Sequence, residues 1–342
     1  MTAGDTIITL ELGHYRLREQ IGASVYGVVW RASGPRGTQD VALKLINEEQ
    51  MARALAPQRE RWIASASNEI AFLQSLEAWD ERHIVRLLDS GWHRGLPVLA
   101  LELLGGDLGK YIAALRARGQ TLPLARALEW MAQLNQALAK VHQYGWRYLD
   151  LKPANILVDP QWNTVKLADF GTNRRLDAGQ AHSYAGTANW QAPEQFFPAD
   201  GGGYATGIHS DYFALGALFY FLVTGSQLRF CGACGQAYRD HHTAGAAVLL
   251  GRHDGAIPST LHADEEAHFK QAIGNDAAAR PAVQLLRRLL DADPAARPRH
   301  AIDISRQLAA IGSAAAVPLA PVTPCPYGRP GAANGWQRGA GA

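Results

Sequence analysis

The sequence predicts an α+β chain of two unequal lobes, a small antiparallel-sheet lobe with one main helix followed by a larger helical lobe. Three observations carry this reading. Over about the first hundred residues, runs of β-branched and aromatic residues alternate with Gly- and Pro-rich turns. From Leu124 onward the apolar residues recur at three- and four-residue steps, the period of a half-buried helix. With 342 residues, 47% of them apolar, the chain is long enough to bury both lobes.

Taken in order, Tyr15–Ile21, Gly27–Ala32 and Asp40–Ile46 read as strands, with Ser33-Gly34-Pro35-Arg36-Gly37 as the clearest turn. Residues 1–14 are an N-terminal extension. Residues 48–78 are rich in Ala, Glu and Arg and read as helix, with a break expected at Pro57 because proline lacks the backbone donor. Ile84–Ser90 and Leu96–Leu103 are two further strands, which closes the small lobe at residues 15–104. In the larger lobe, residues 105–312, the stripe Leu124, Leu128, Met131, Leu134, Leu138 and Val141 predicts a buried helix face. Further helices are predicted at 209–224, 281–290 and 300–311. A Cys/His-containing insertion occupies about 226–270, and the Ala-, Pro- and Gly-rich residues 313–342 predict a disordered tail.

The formal net charge of +2 argues against a nucleic-acid partner. Three cysteines, an odd number, do not make a disulfide framework and suit a reducing compartment. Met1–Leu10 is short, carries Asp5 and lacks the pattern of a signal peptide. The longest apolar run, Phe213–Val223, is too short to span a bilayer and reads as a buried helix. The expectation is a cytoplasmic protein with no membrane partner; its oligomeric state is open.

Chemistry concentrates in Tyr148-Leu149-Asp150-Leu151-Lys152-Pro153-Ala154-Asn155-Ile156-Leu157, followed by Asp169-Phe170-Gly171. A lone Asp in a loop is ordinarily a turn former or a cap. Here Asp150 has a cation two residues on, an amide five residues on and a second acid in Asp169. That set can hold a nucleotide phosphate, magnesium ions and a hydroxyl nucleophile together. On these motifs, from about Tyr15 to about Leu308, the chain resembles a eukaryotic-type (bacterial Hanks-type) serine/threonine protein kinase. The resemblance implies a bilobal protein kinase-like fold that uses ATP and Mg2+ on a protein substrate. Asp150 would be the catalytic base and Lys152 would neutralise charge on the γ-phosphate. Asn155 and Asp169 would ligate magnesium, a hard cation that prefers oxygen.

The same resemblance assigns the nucleotide site. Gly22-Ala23-Ser24-Val25-Tyr26-Gly27-Val28-Val29 is similar to the loop that covers the ATP phosphates, with Ser24 in place of the middle glycine. Lys44, in Val41-Ala42-Leu43-Lys44, would bind the α- and β-phosphates. Glu69 fits best as its partner, with Glu60 and Glu77 as competitors. Val29 and Ala42 would roof the adenine and Leu157 would floor it. Leu101 would sit beside the pocket, backbone groups of Glu102 and Leu104 would bond the adenine edge, and Asp107 would reach the ribose.

In Gly186-Thr187-Ala188-Asn189-Trp190-Gln191-Ala192-Pro193-Glu194, the resemblance makes Thr187 the residue that bonds Asp150 and Lys152. Glu194 would pair with Arg297, and Asp211 would cap the catalytic-loop backbone. Leu149 replaces the family's arginine beside the catalytic Asp, so a phosphate on Ser183 or Tyr184 would meet fewer cations, Arg174 and Arg175 being the local ones. The least family-like stretch is Cys231-Gly232-Ala233-Cys234-Gly235, with His241 and His242 after it. Its readings are a Zn2+ site, a surface loop with two free thiols, or a redox dithiol. Rival functions are a nucleotide-binding scaffold without catalysis and a small-molecule phosphotransferase.

Overall fold

A computed structural model describes residues 6–24, 26–37, 39–159, 163–177 and 184–315. The strand-forming runs of the small lobe pair into one antiparallel sheet: β1 (Ile7–Thr9), β2 (His14–Ala23), β3 (Gly27–Ser33), β4 (Asp40–Ile46), β5 (Leu87–His93) and β6 (Leu96–Glu102). Their spatial order is β1-β2-β3-β4-β6-β5. Strand β1 was not expected. Ile8 and Leu10 of the presumed extension are buried against the sheet, and Ile8 pairs with Tyr15. Ile84 also departs from the expected strand. Its neighbour Val85 donates to the Leu167 carbonyl at 2.8 Å, so β5 starts only at Leu87.

Alternation along β4 divides the core, because successive side chains point to opposite faces. Val41 and Leu43 join Tyr15, Leu17 and Ala100 in a small cluster on one face. Ala42, with Leu99 and Leu101, turns toward the helix that follows and joins the large cluster shared with the other lobe. Lys44 is two residues from Ala42 and so rises on that inner face.

The helical stretch is two helices, α1 (Glu48–Arg53) and α2 (Ala56–Gln74). Pro57 does not interrupt the helix but stands in the first turn of α2, where its missing N–H has no intrahelical partner to lose. In the larger lobe come α3 (Leu108–Ala117), α4 (Leu124–Gln143), β7 (Trp146–Arg147), β8 (Ile156–Asp159), β9 (Thr164–Leu167), β10 (Arg174–Arg175), α5 (Pro193–Phe196) and α6 (Ile208–Thr224). The stripe on α4 is buried as its period requires, from Leu128 to Val141. Helix α6 is buried nearly all round, the mark of a central core helix. Among the described residues no single helix is long and apolar enough to cross a membrane.

The last helices are α7 (Arg229–His241), α8 (Gly245–Arg252), α9 (Ala263–Ile273), α10 (Asp276–Leu289) and α11 (Ala301–Ala314). Helix α10 starts five residues before the predicted 281, and Pro281 lies inside it. Asn275 caps the earlier start by accepting from the Ala278 N–H, and Ala278, Ala279 and Ala282 are buried, so packing outweighs the proline. Gly216 of α6 lets α10 approach; a Cβ there would stand 2.7 Å from the Leu289 Cβ. Helix α11 continues into the first residues of the predicted tail, and residues 316–342 lie outside the described residues.

Candidate active site

The site lies where the inner face of the sheet meets the loops after β7 and β9. Lys44 Nζ is 2.7 Å from Glu69 Oε2 and 2.7 Å from Asp169 Oδ1. Glu69 is buried on α2, and its Oε1 accepts the Phe170 N–H at 3.1 Å. The geometry therefore selects Glu69 over Glu60 and Glu77. Burial by itself would lower the Lys44 pKa; the charges of Asp169 and Glu69 outweigh it and hold the ammonium protonated. Lys44, at 2.7 Å, in turn pulls the Asp169 carboxyl below the ordinary carboxylate range.

The loop bearing Asp150 is fixed from beneath. Leu149 adopts a left-handed backbone with φ of 66°. Asp211, buried at the start of α6, accepts the Tyr148 N–H at 2.9 Å and the Leu149 N–H at 2.7 Å, which is the cap expected of it. Tyr148 packs edge-on to Phe170 with ring centres 5.1 Å apart and donates its hydroxyl proton to the Ala168 carbonyl. Phe170 also packs on Phe72 of α2 at 4.7 Å. This aromatic column joins the two lobes behind the site.

Around Asp150 the donors converge. Lys152 Nζ is 2.8 Å from Asp150 Oδ2 and 2.6 Å from Thr187 Oγ1, and Thr187 donates to Asp150 Oδ1 at 2.6 Å. Asn155 Nδ2 donates to Asp150 Oδ2 at 2.8 Å and to the Asp150 carbonyl at 3.0 Å. Burial pushes the Asp150 carboxyl above its usual range, and Lys152 and Thr187 oppose the rise. With its amide nitrogen spent on Asp150, Asn155 has its amide oxygen left over, and the Asp169 carboxylate is half-exposed. Two hard oxygen donors of this kind fit magnesium, which commonly takes one or two side chains and completes its shell with phosphate oxygens and water.

The expected adenine walls are adjacent. Ala42 pairs with Leu101 across β4 and β6, Val29 pairs with Lys44 and with Gly22, and Leu157 bridges to Asp107. The Glu102 N–H donates to the Arg86 carbonyl at 3.0 Å and its side chain meets Lys166 at 2.6 Å. Leu104 follows in the link to α3. Asp107 has a structural task, capping α3 by accepting the Lys110 N–H at 2.9 Å. Ser24 closes the turn between β2 and β3, its Oγ accepting the N–H of Tyr26 at 3.2 Å and of Gly27 at 3.1 Å. The serine in place of glycine therefore ties down two of the loop's own donors.

Glu194 and Arg297 form a two-bonded pair at 2.7 and 2.9 Å, with the Arg297 side chain fully buried. Two glutamines were not anticipated. Gln195 Nε2 donates to the Leu149 carbonyl at 3.0 Å, and Gln191 Nε2 to the Ala185 carbonyl at 2.5 Å. Both are buried, and nothing in a single polar residue near Ala-Pro-Glu announces such a task. Ser183 lies outside the described residues.

The Zn2+ reading is corrected. Cys231 and Cys234 are not in a knuckle but one turn apart on α7, both buried in the core, whereas His241 and His242 are exposed at its end. Residues three apart share a helix face, and here that face is apolar. Burial pushes the Cys231 thiol up to about 12 and Cys234 higher still, which suppresses the thiolate that zinc or redox chemistry needs. Among the described residues no group of three or more His, Cys, Asp or Glu side chains stands ready for a metal.

Comparison with known proteins agrees with this geometry. The family model described as "protein kinase domain" matches residues 15–306. The chain is 33% identical over 221 residues to cyclin-dependent kinase B2-2 of Arabidopsis thaliana, covering 63% of this chain and 66% of that protein. It is 29% identical over 217 residues to cyclin-dependent kinase B2-1 of the same plant, covering 61% of this chain and 65% of that protein. To the carbon catabolite-derepressing protein kinase of Candida tropicalis it is 29% identical over 215 residues, covering 63% of this chain and 32% of that protein. The chain thus spans about a third of the yeast relative and just under two thirds of the plant ones.

Proposed function

The chain belongs to the protein kinase family, and on that premise we propose that it transfers the γ-phosphoryl group of ATP to serine or threonine hydroxyls of proteins. One observation carries the reading: the triangle of Asp150, Lys152 and Thr187, closed at 2.6 to 2.8 Å. It joins the loop that would activate a hydroxyl to the segment that would receive the substrate. A small-molecule phosphotransferase has no need of that segment, and a scaffold has no need of the triangle.

In this reading Asp150 orients the acceptor hydroxyl and takes its proton, and its raised pKa makes it a better base. Lys152 offsets charge as the phosphoryl group moves. Lys44, held by Glu69, positions the nucleotide phosphates. Asn155 and Asp169 would hold magnesium, which when bound neutralises charge on phosphate oxygens. The residues of the site contribute mostly position and charge, as phosphoryl transfer requires.

The test is transfer of labelled phosphate from ATP to a generic protein substrate, followed by phosphoamino-acid analysis. Phosphoserine or phosphothreonine is expected, with Asp150→Ala slowing transfer by on the order of a hundredfold or more while nucleotide binding persists. Phosphotyrosine alone would refute the specificity. Magnesium-dependent nucleotide binding with no transfer would favour the scaffold.

A further inference from the structure

Leu149 leaves the catalytic loop without the cation that would read a phosphate, yet the substrate-receiving segment is held against that loop. Beside the bonds of Thr187 to Lys152 and Asp150, neutral groups hold it. The Tyr184 ring stacks on Tyr238 of α7, with ring centres 4.7 Å apart and planes 10° from parallel. Tyr204 meets the same ring edge-on at 5.4 Å. The Tyr184 hydroxyl donates to Gln191 Oε1 at 2.7 Å, and Gln191 returns a bond to the Ala185 carbonyl. Gln191 is 1% exposed, so its end of this part-buried bond is shielded from water. Gly186 stands between them with φ of 97°, and a Cβ there would lie 2.5 Å from the Leu149 carbonyl. The segment therefore lies directly on the catalytic loop, one residue before Thr187.

We propose that Tyr184, stacked on Tyr238 and bonded to Gln191, is a positioning residue that seats Thr187 and the substrate-receiving segment without any phosphate. This rests on the protein kinase reading above. A parallel aromatic pair plus a part-buried hydroxyl bond supplies both a flat contact and a direction. A phosphate on the Tyr184 oxygen would displace its bond to Gln191 and place charge in a buried amide site, so this hydroxyl serves as an anchor and not as a switch.

The experiment compares wild type with Tyr184→Ala, Tyr184→Phe, Tyr238→Ala and Tyr238→Phe, reading KM for a protein substrate, KM for ATP, and amide hydrogen exchange at Ala188–Trp190. In both alanine variants the protein KM should rise tenfold or more, the ATP KM should stay within twofold, and exchange should accelerate. Tyr238→Phe keeps the stack and should match wild type, and Tyr184→Phe should fall between. Phosphatase treatment of wild type should change nothing. If Tyr184→Ala does not fold, Tyr238→Ala reads the same contact from the other side. Unchanged protein KM and unchanged exchange in the alanine variants would overturn the proposal, as would loss of wild-type activity after phosphatase treatment. The exchange measurement needs no turnover, so a protein that phosphorylates nothing would sink the kinase reading while the clamp is still judged.

Discussion

Asp150 sits between an acid's two tendencies. Burial favours its protonated form, and the donors Lys152 and Thr187 favour the ionised one. As the proposed base, Asp150 must be deprotonated to act, so activity should be lost on acidification at a pH above the ordinary aspartate range. Thr187→Val removes one opposing donor, which raises that pKa further. The acid limb of kcat/KM should then move to higher pH. Activity near neutrality should also fall roughly ten- to a hundredfold, from the loss of a hydrogen bond to a charged group worth about 1.5–3 kcal/mol. A pH profile of both proteins checks this, and a limb that stays in place would detach Thr187 from the ionisation of Asp150.

At the scale of one element, α7 shows how a short motif is read by its surroundings. A Cys-x-x-Cys pair in a turn presents two sulfurs to a metal, whereas on a helix it presents them to whatever the helix packs on. Here that is core, next to Phe230 and Ala237. Cys231→Ala and Cys234→Ala should each destabilise the protein by about 1–2 kcal/mol, as small buried deletions do. Urea melts measure that cost. The native thiols should react with a disulfide reagent far more slowly than the unfolded ones, and elemental analysis should find no stoichiometric zinc. Rapid native reaction, or one zinc per chain lost with Cys231, would restore the discarded reading.

Two predictions belong to the whole molecule. Arg297 and Glu194 bind segments 103 residues apart in the sequence. Arg297→Met strands the Glu194 carboxylate in a site built for a cation and should cost about 3–5 kcal/mol in chemical denaturation. His83 is buried at the end of the turn that precedes β5, donating to the Val165 carbonyl of β9 at 3.3 Å, and burial lowers its pKa from 6.5 to about 4. The unfolded chain therefore takes up the proton first as pH falls. This stabilisation is complete above about 6.5 and is lost between there and about 4, amounting to about 3 kcal/mol at most. His83→Gln should flatten the slope of stability against pH in that window; an unchanged slope would assign it to other groups.

The residues of the site were legible because their chemistry demands certain types at short spacing. Asp150, Lys152 and Asn155 share one loop, and the proposed phosphoryl transfer asks for an acid, a cation and an amide at that spacing. Glu69 was legible by helical phase with Leu73, and the stripe on α4 by its period. What the sequence could not decide depends on contacts between distant residues. Strand β1 is three residues long and is a strand only because β2 lies beside it. Pro281 sits inside a helix because the core holds the alanines around it. Cys231 and Cys234 are buried because α7 turns them inward, and Gln195 matters because the Leu149 carbonyl comes to it. Local spacing determines which chemistry the chain can carry, since those constraints act within a loop or a turn. Burial and long-range pairing determine what each remaining side chain does, since both exist only once the lobes have packed.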